Sequence, residues 1–247
     1  MWWWQELSGL VLPAACAGCG VARTPLCEEC GHELYGSAPG RVRPGPEPPG
    51  LPRVYAAAVY ADAVRAVLLA HKERGALGLA RPLGRALAGA VRAAVPRAAG
   101  PLLLVPVPSS RRAVRARGHD AGRRIARAAA GELRRGGVEA GVLPVLRLCR
   151  EVADQSGLTA AERVANLAGA MVVPRGVRSL PRGAAAVLVD DLMTTGASLA
   201  EGVRALRAAG DSGIPGFARP SAAVIAAPPF FGGNEPEPTG KAERCSQ

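Results

Sequence analysis

Residues 187–199 read VLVDDLMTTGASL, and this run limits the possible folds more than any other part of the chain. Its apolar start forms a buried strand, two adjacent acids end it, and a turn rich in Thr, Gly and Ser leads into a helix. In an open parallel sheet, ligands collect outside the carboxyl ends of the strands. The amide groups of Thr194, Thr195, Gly196, Ala197 and Ser198, with the helix N-terminus that follows, suit a phosphate. Thr194, Thr195 and Ser198 add hydroxyl donors, and Gly196 lets the backbone come close. Asp190 and Asp191 would repel that phosphate unless they bound something else. Vicinal ribose hydroxyls, which donate to carboxylates, meet that need, so the pattern points to a sugar phosphate. A strand capped by an Asx turn is the bland reading of the same residues. A nucleoside triphosphatase is excluded, because its Gly-rich loop ends in Lys before Ser or Thr. Neither lysine of this chain, Lys72 or Lys241, sits in such a loop.

The rest of the chain supplies a sheet for that strand. Apolar runs at 53–62, 101–108, 145–149, 168–174, 184–191 and 221–227 read as strands, and 62–72, 77–95, 118–135 and 197–209 as helices. Strands separated by helices imply a parallel sheet with right-handed crossovers. The fold class expected is therefore α/β. The segment 105–119, VPVPSSRRAVRARGH, reads as a loop at a strand end, and 150–167 as a polar stretch long enough for a mobile lid. Four units follow: a cysteine segment at 1–35, a Pro/Gly linker at 36–53, the main domain at 54–227 and a loose tail at 228–247.

Cys16, Cys19, Cys27 and Cys30 form two C-x-x-C pairs within fifteen residues. Pairs so close together suit a metal better than disulfides. With Gly18, Gly20 and Gly31 easing the turns, four thiolates can face one tetrahedral ion, and structural zinc is preferred to an iron–sulfur cluster. His32 lies too near Cys30 to act as a ligand, Cys149 reads as a buried strand residue and Cys245 as a tail thiol. Trp2, Trp3 and Trp4 read either as base-stacking residues or as packing.

Composition bounds the partners. Hydrophobic residues make up 49% of the chain but aromatics only 4%, so the core is built from Ala, Val and Leu. The net charge of +11 fits an anionic partner, and it fits equally a G/C-rich coding bias toward arginine. The N-terminal apolar stretch has no basic lead, contains Pro13 and is too short to span a bilayer, so no membrane insertion and a cytoplasmic location are expected. Pro13-Ala14-Ala15-Cys16 is faintly like a lipoprotein cleavage site, a reading that would consume Cys16.

The run at 187–199 is similar to the phosphoribosyl pyrophosphate (PRPP) motif of type I phosphoribosyltransferases. By position that resemblance gives Asp190 and Asp191 the ribose hydroxyls and Thr194–Ser198 the 5-phosphate, with Mg2+ accompanying PRPP. It implies a type I phosphoribosyltransferase-like sheet flanked by helices. More of the chain resembles the ComF competence-protein family: the cysteine module, YADAVRAVLLAHKERG (60–75), VPVPSSRRAVRARGHDAGRRIA (105–126), REVADQSGLTAAERVANLAGA (150–170) and the PRPP motif. Lys72 occupies the lysine slot of that family. Asp120 stands where Asn is usual and Ala121 where Gln is usual, while 210–220 is longer than the usual turn. The resemblance makes Arg111, Arg115 and Arg117 candidates for a pyrophosphate loop, and Arg150, Gln155 and Arg163 candidates for a lid. It also implies a role in DNA uptake or processing, with single-stranded DNA and a helicase as partners. A working transferase acting on a base or amine is the alternative, and a non-catalytic scaffold is the third. Thr194 stands where oxopurine-salvage enzymes often place an Asp general base.

Overall fold

The computed structural model describes residues 15–96, 100–153, 157–174, 180–181, 183–211, 217 and 220–229. Among the described residues eight strands run β1 Gly40–Val42, β2 Val54–Val59, β3 Leu102–Pro106, β4 Ala140–Val142, β5 Arg147–Leu148, β6 Met171–Val172, β7 Ala185–Leu192 and β8 Ser221–Ala227. The α-helices are α1 Glu28–Tyr35, α2 Asp62–Glu73, α3 Ala80–Ala94, α4 Arg111–Arg117, α5 Ala121–Arg135, α6 Ala160–Leu167 and α7 Ala197–Asp211. The main sheet has the order β1-β2-β8-β7-β3-β4 and is parallel except for β1 at its edge. The α/β fold with a mostly parallel sheet flanked by helices is as the sequence led us to expect.

Each face of the sheet has its own apolar layer. On one face Leu83, Leu87 and Val91 of α3 pack with Ile125, Ala129 and Leu133 of α5 against Leu104, Val187 and Ile225. On the other, Leu199, Val203 and Leu206 of α7 pack with Met171 and Phe217 against Val105, Leu188 and Val224. Alternate residues of the central strands thus serve opposite cores, as a period of two requires. Small alanines at the α3–α5 contact let these two helices approach closely without aromatic filler.

This arrangement positions the site. β3 and β7 are neighbours, paired from Leu102↔Ala185 to Pro106↔Val189. The helix α5, on the way from β3 to β4, covers one face, whereas α7, on the way from β7 to β8, covers the other. The chain therefore leaves two adjacent strands in opposite directions, which opens a crevice at their carboxyl ends. Asp190 is the residue after Val189, so it stands at that crevice.

Five details differ from the sequence reading, the first being Cys149, which was expected buried in a strand but is exposed just past β5. The strand beside β3 is β4 at 140–142; β5 and β6, expected in the main sheet from 145–149 and 168–174, pair antiparallel with each other instead. The run 105–119 contains α4, N-capped by Ser110, whose side chain accepts from the Ala113 amide at 3.1 Å. Residues 36–53, read as an extended linker, include β1 and a strap whose Pro44 and Pro48 are buried. The cysteine segment 1–35 includes α1, which begins directly after Cys27.

Candidate functional site

β7 carries two carboxylates in sequence at its end, and burial makes that costly. Asp190 is half-buried and its carboxyl is pushed up to about 8, first by burial and then by the neighbouring Asp191 charge, with Lys72 only partly offsetting both. Its side chain accepts from the Asp191 amide at 2.9 Å. Asp191 is met by Lys72 of α2, Nζ to Oδ2 2.7 Å, with the carboxylate side chain 13% exposed. Burial alone would lower the Lys72 ammonium, but the two aspartates outweigh that and raise it. The ligand-free pair therefore holds one matched charge and one carboxyl that favours its proton near neutral pH. A donor of hydrogen bonds, such as a diol, is the partner such a pair lacks.

The loop after β7 presents the complementary groups. Met193 anchors it through its amide to Ala226 O at 3.0 Å, and Ala200 N bonds Gly196 O at 2.9 Å. Between these anchors the amides of Thr194, Thr195 and Gly196 have no partner among the described residues. They precede α7, whose first-turn N–H groups are unsatisfied by the geometry of any helix. Gly196 adopts φ +75, and a Cβ there would come within 3.0 Å of Leu51 and 3.4 Å of Pro44. The strap thus packs directly on this loop, and only glycine fits both the dihedral and the space.

The expected arginines are placed in four different ways. Arg117 turns toward α2, with Nη1 3.5 Å from Glu73 and Nε donating to Ala113 O at 3.0 Å, and its charge is felt by Lys72. Arg111 and Arg115 instead line a cavity of about 390 Å3 with Asp120, Arg123 and Arg147, above Pro106 and Pro108. Arg150 faces neither: its Nη2 donates to Asn166 O at 2.8 Å and Ala168 O at 2.9 Å. Asn166 completes the same staple by exchanging two bonds with the Ala153 backbone, 3.2 and 3.0 Å. Arg150 therefore closes the stem of the 150–167 segment. Arg163, on α6, donates from Nη1 to Thr194 Oγ1 at 3.1 Å. Gln155 lies outside the described residues.

Three polar features were not foreseen. Glu201 of α7 is buried and accepts from the Met171 amide at 2.9 Å and from Arg204 at 2.8 Å twice, while Arg204 also donates to Met171 O at 2.8 Å. This clamp ties β6, just after the 150–167 segment, to the helix that follows the Thr194–Ser198 loop. The i,i+3 spacing of Glu201 and Arg204 was its sequence signal. A reciprocal Thr159–Glu162 capping box fixes the start of α6, signalled by T-A-A-E. His71, fully buried beside Lys72, meets His119 edge-on at 5.9 Å between ring centroids. Burial lowers the His71 pKa, keeping that imidazole neutral.

The sulfur atoms of Cys16, Cys19, Cys27 and Cys30 all lie within 4.8 Å of one another, so this cluster near the N-terminus can bind a metal such as zinc. Cys16 and Cys30 are buried and Cys19 is exposed. The thiol of Cys16 falls to about 6: burial opposes this, but amide donors at Cys19, Cys27 and Gly18 prevail. The thiol of Cys30 moves the other way, raised first by burial and then by the neighbouring sulfurs. Four thiolates cannot share this space without a cation to neutralise them, and a divalent metal is the group the donor set fits. The packing is tight: a Cβ at Gly18 would stand 2.6 Å from Cys30 Sγ and 3.0 Å from Ala63 of α2.

No family model and no curated protein matches the chain. No helix among the described residues is long and apolar enough to cross a membrane.

Proposed function

We propose that the chain binds PRPP together with Mg2+ at the carboxyl end of β7, as a protein of the ComF type that serves DNA uptake or processing. One observation carries this reading. Two carboxylates that need hydroxyl donors stand immediately before a loop with three unpartnered amides, at the switch point between β3 and β7. Asp190 and Asp191 accept from the ribose diol, and the amides and hydroxyls of Thr194–Ser198 hold the 5-phosphate. When bound, Mg2+ supplies positive charge to the pyrophosphate. Lys72 adds a fixed cation beside Asp191, Arg117 pairs with Glu73 of the same helix α2, and Arg111 and Arg115 line the neighbouring cavity over the end of β3. Zinc in the cysteine cluster has a structural role. Single-stranded DNA and a helicase are the partners implied for the ComF type, inside the cytoplasm.

The alternative, transfer of the phosphoribosyl group to a base or amine, needs an acceptor and a proton acceptor near C1. Thr194 occupies the position of the usual oxopurine-salvage base and already accepts from Arg163, which disfavours that acceptor class. Thermal stabilisation by PRPP and Mg2+ tests the main reading. The Asp190→Asn/Asp191→Asn chain should lose the shift that the parent shows; equal shifts in both would remove the assignment.

A further inference from the structure

We infer that Arg163 reads the phosphate ester on the loop and ties its occupancy to the lid stem. The inference rests on the sugar-phosphate reading of the Thr194–Ser198 loop and extends it to a residue outside that loop. A guanidinium has five N–H donors in a fixed fork. One of them, on Nη1, meets Thr194 Oγ1, whereas the Nε of Arg163 is buried without any hydrogen-bond partner. A buried guanidinium N–H left unmade beside three unpartnered loop amides marks a place where an anion belongs. The bond also fixes the direction of the hydroxyl. Thr194 Oγ1 receives from Arg163, so its own hydrogen is left for an acceptor such as a phosphate oxygen.

The scaffold behind Arg163 gives this contact a second consequence. α6 is set by the Thr159–Glu162 capping box at its start and by Arg150 on the Asn166 and Ala168 carbonyls at its end. The stem leads on to β6, which the Glu201–Arg204 clamp holds against α7. α7 itself begins at the phosphate loop. Arg163 therefore closes a ring from the loop through α7, β6 and α6 back to the loop. A phosphate dianion that recruits the free donors of Arg163 pulls α6 onto the loop and holds the stem. The ligand class selected is a terminal phosphate monoester; a diol without the ester offers Arg163 nothing.

The test uses the full chain with ribose 5-phosphate as the probe, and compares Arg163→Met and Arg163→Lys with the parent by calorimetry and amide hydrogen exchange. Arg163→Met should weaken ribose 5-phosphate about tenfold or more, the usual scale for a lost charged hydrogen bond. Arg163→Lys should recover only part, because one ammonium cannot serve Thr194 and the phosphate in the same fork geometry. Ribose 5-phosphate should slow exchange across 160–167 in the parent and leave it unchanged in Arg163→Met, a difference that a merely structural role would not produce. Equal affinity of Arg163→Met and parent, with equal protection of 160–167, would overturn the inference while leaving the sugar-phosphate site intact. A parent chain that binds neither ribose 5-phosphate nor PRPP would overturn both.

Discussion

Asp190, Asp191 and the Thr194–Ser198 loop stand at the end of an eight-residue strand flanked by two others, whereas Cys16, Cys19 and Cys27 lie outside helices and Cys30 in the first turn of α1, with Ala63 and Leu26 packed among them. In the first region the sheet fixes the backbone, and the side chains are carried into place even where that is costly. In the second the buried cysteines form a small cluster of their own, which Ala17 and Leu26 join to the main core. The difference teaches what holds each site: the sheet fixes the Thr194–Ser198 loop, while four clustered thiolates need a cation to neutralise them. α2 joins them, touching the cysteines through Ala63 and Asp191 through Lys72.

The sharpest way to break this contrast is to remove a thiolate. Structural zinc sites of this kind release on the order of 10 kcal/mol on binding. Cys30→Ser should therefore abolish the single zinc equivalent and expose the amides of 15–35 to exchange, with α5 still protected. Loss of protection throughout the chain would show that the turns hold up the main domain as well.

Glu201→Gln comes next. Removing one charge of the clamp leaves Arg204 and the Met171 amide less well matched, for about 2 kcal/mol, since Arg204 is half-exposed. The pKa of Glu201 is lowered: burial opposes the shift, and the bonds from Arg204 and Met171 outweigh it. Its stabilisation is present above the unfolded value of 4.5 and is lost as pH falls through the lower folded value. Denaturant melts at pH 7 and pH 3 should show the parent losing more stability than Glu201→Gln; parallel losses would argue against the clamp.

Gly196→Ala tests whether the loop is held in place by the strap. A non-glycine residue at positive φ costs about 1–2 kcal/mol, and Leu51 must also give way. Reduced melting temperature with weakened phosphate binding is expected, and Leu51→Ala in the same chain should restore part of it. No change in either quantity would mean that the loop adapts freely.

The last effect has the opposite sign. Asp190 holds a proton up to about 8 in the folded chain but releases it near 3.8 when unfolded. Between those values the folded state binds more protons, so this group makes stability fall as pH rises. Asp190→Asn should raise the melting temperature, and by more at pH 8 than at pH 5, while losing the diol. A mutant less stable than its parent at pH 8 would contradict the strain assigned to the acid pair.

Much of this was legible where the residues are consecutive. Asp190 to Ser198 form one uninterrupted run, and the four cysteines fall within fifteen residues, so local spacing sufficed. β4 was passed over because A-G-V at 140–142 is short and weakly apolar, whereas V-L-R-L-C just beyond it looks more like a central strand. α4 was hidden among arginines, although Ser110 before it and Gly118 after it are the usual boundary residues. The strap could not be read, since Pro44 and Leu51 gain meaning only against Gly196, some 150 positions away. Arg150 shows the converse limit: its place in the lid pattern was visible, but its partners, two carbonyls at the end of α6, depend on the tertiary path.

Calorimetric titration of the zinc-loaded chain with PRPP and Mg2+, with and without single-stranded DNA, addresses the central claim most directly. The account predicts saturable binding of one PRPP per chain, lost in Asp190→Asn/Asp191→Asn, with an affinity that changes when DNA is present. Absence of heat and of saturation in the parent would contradict it.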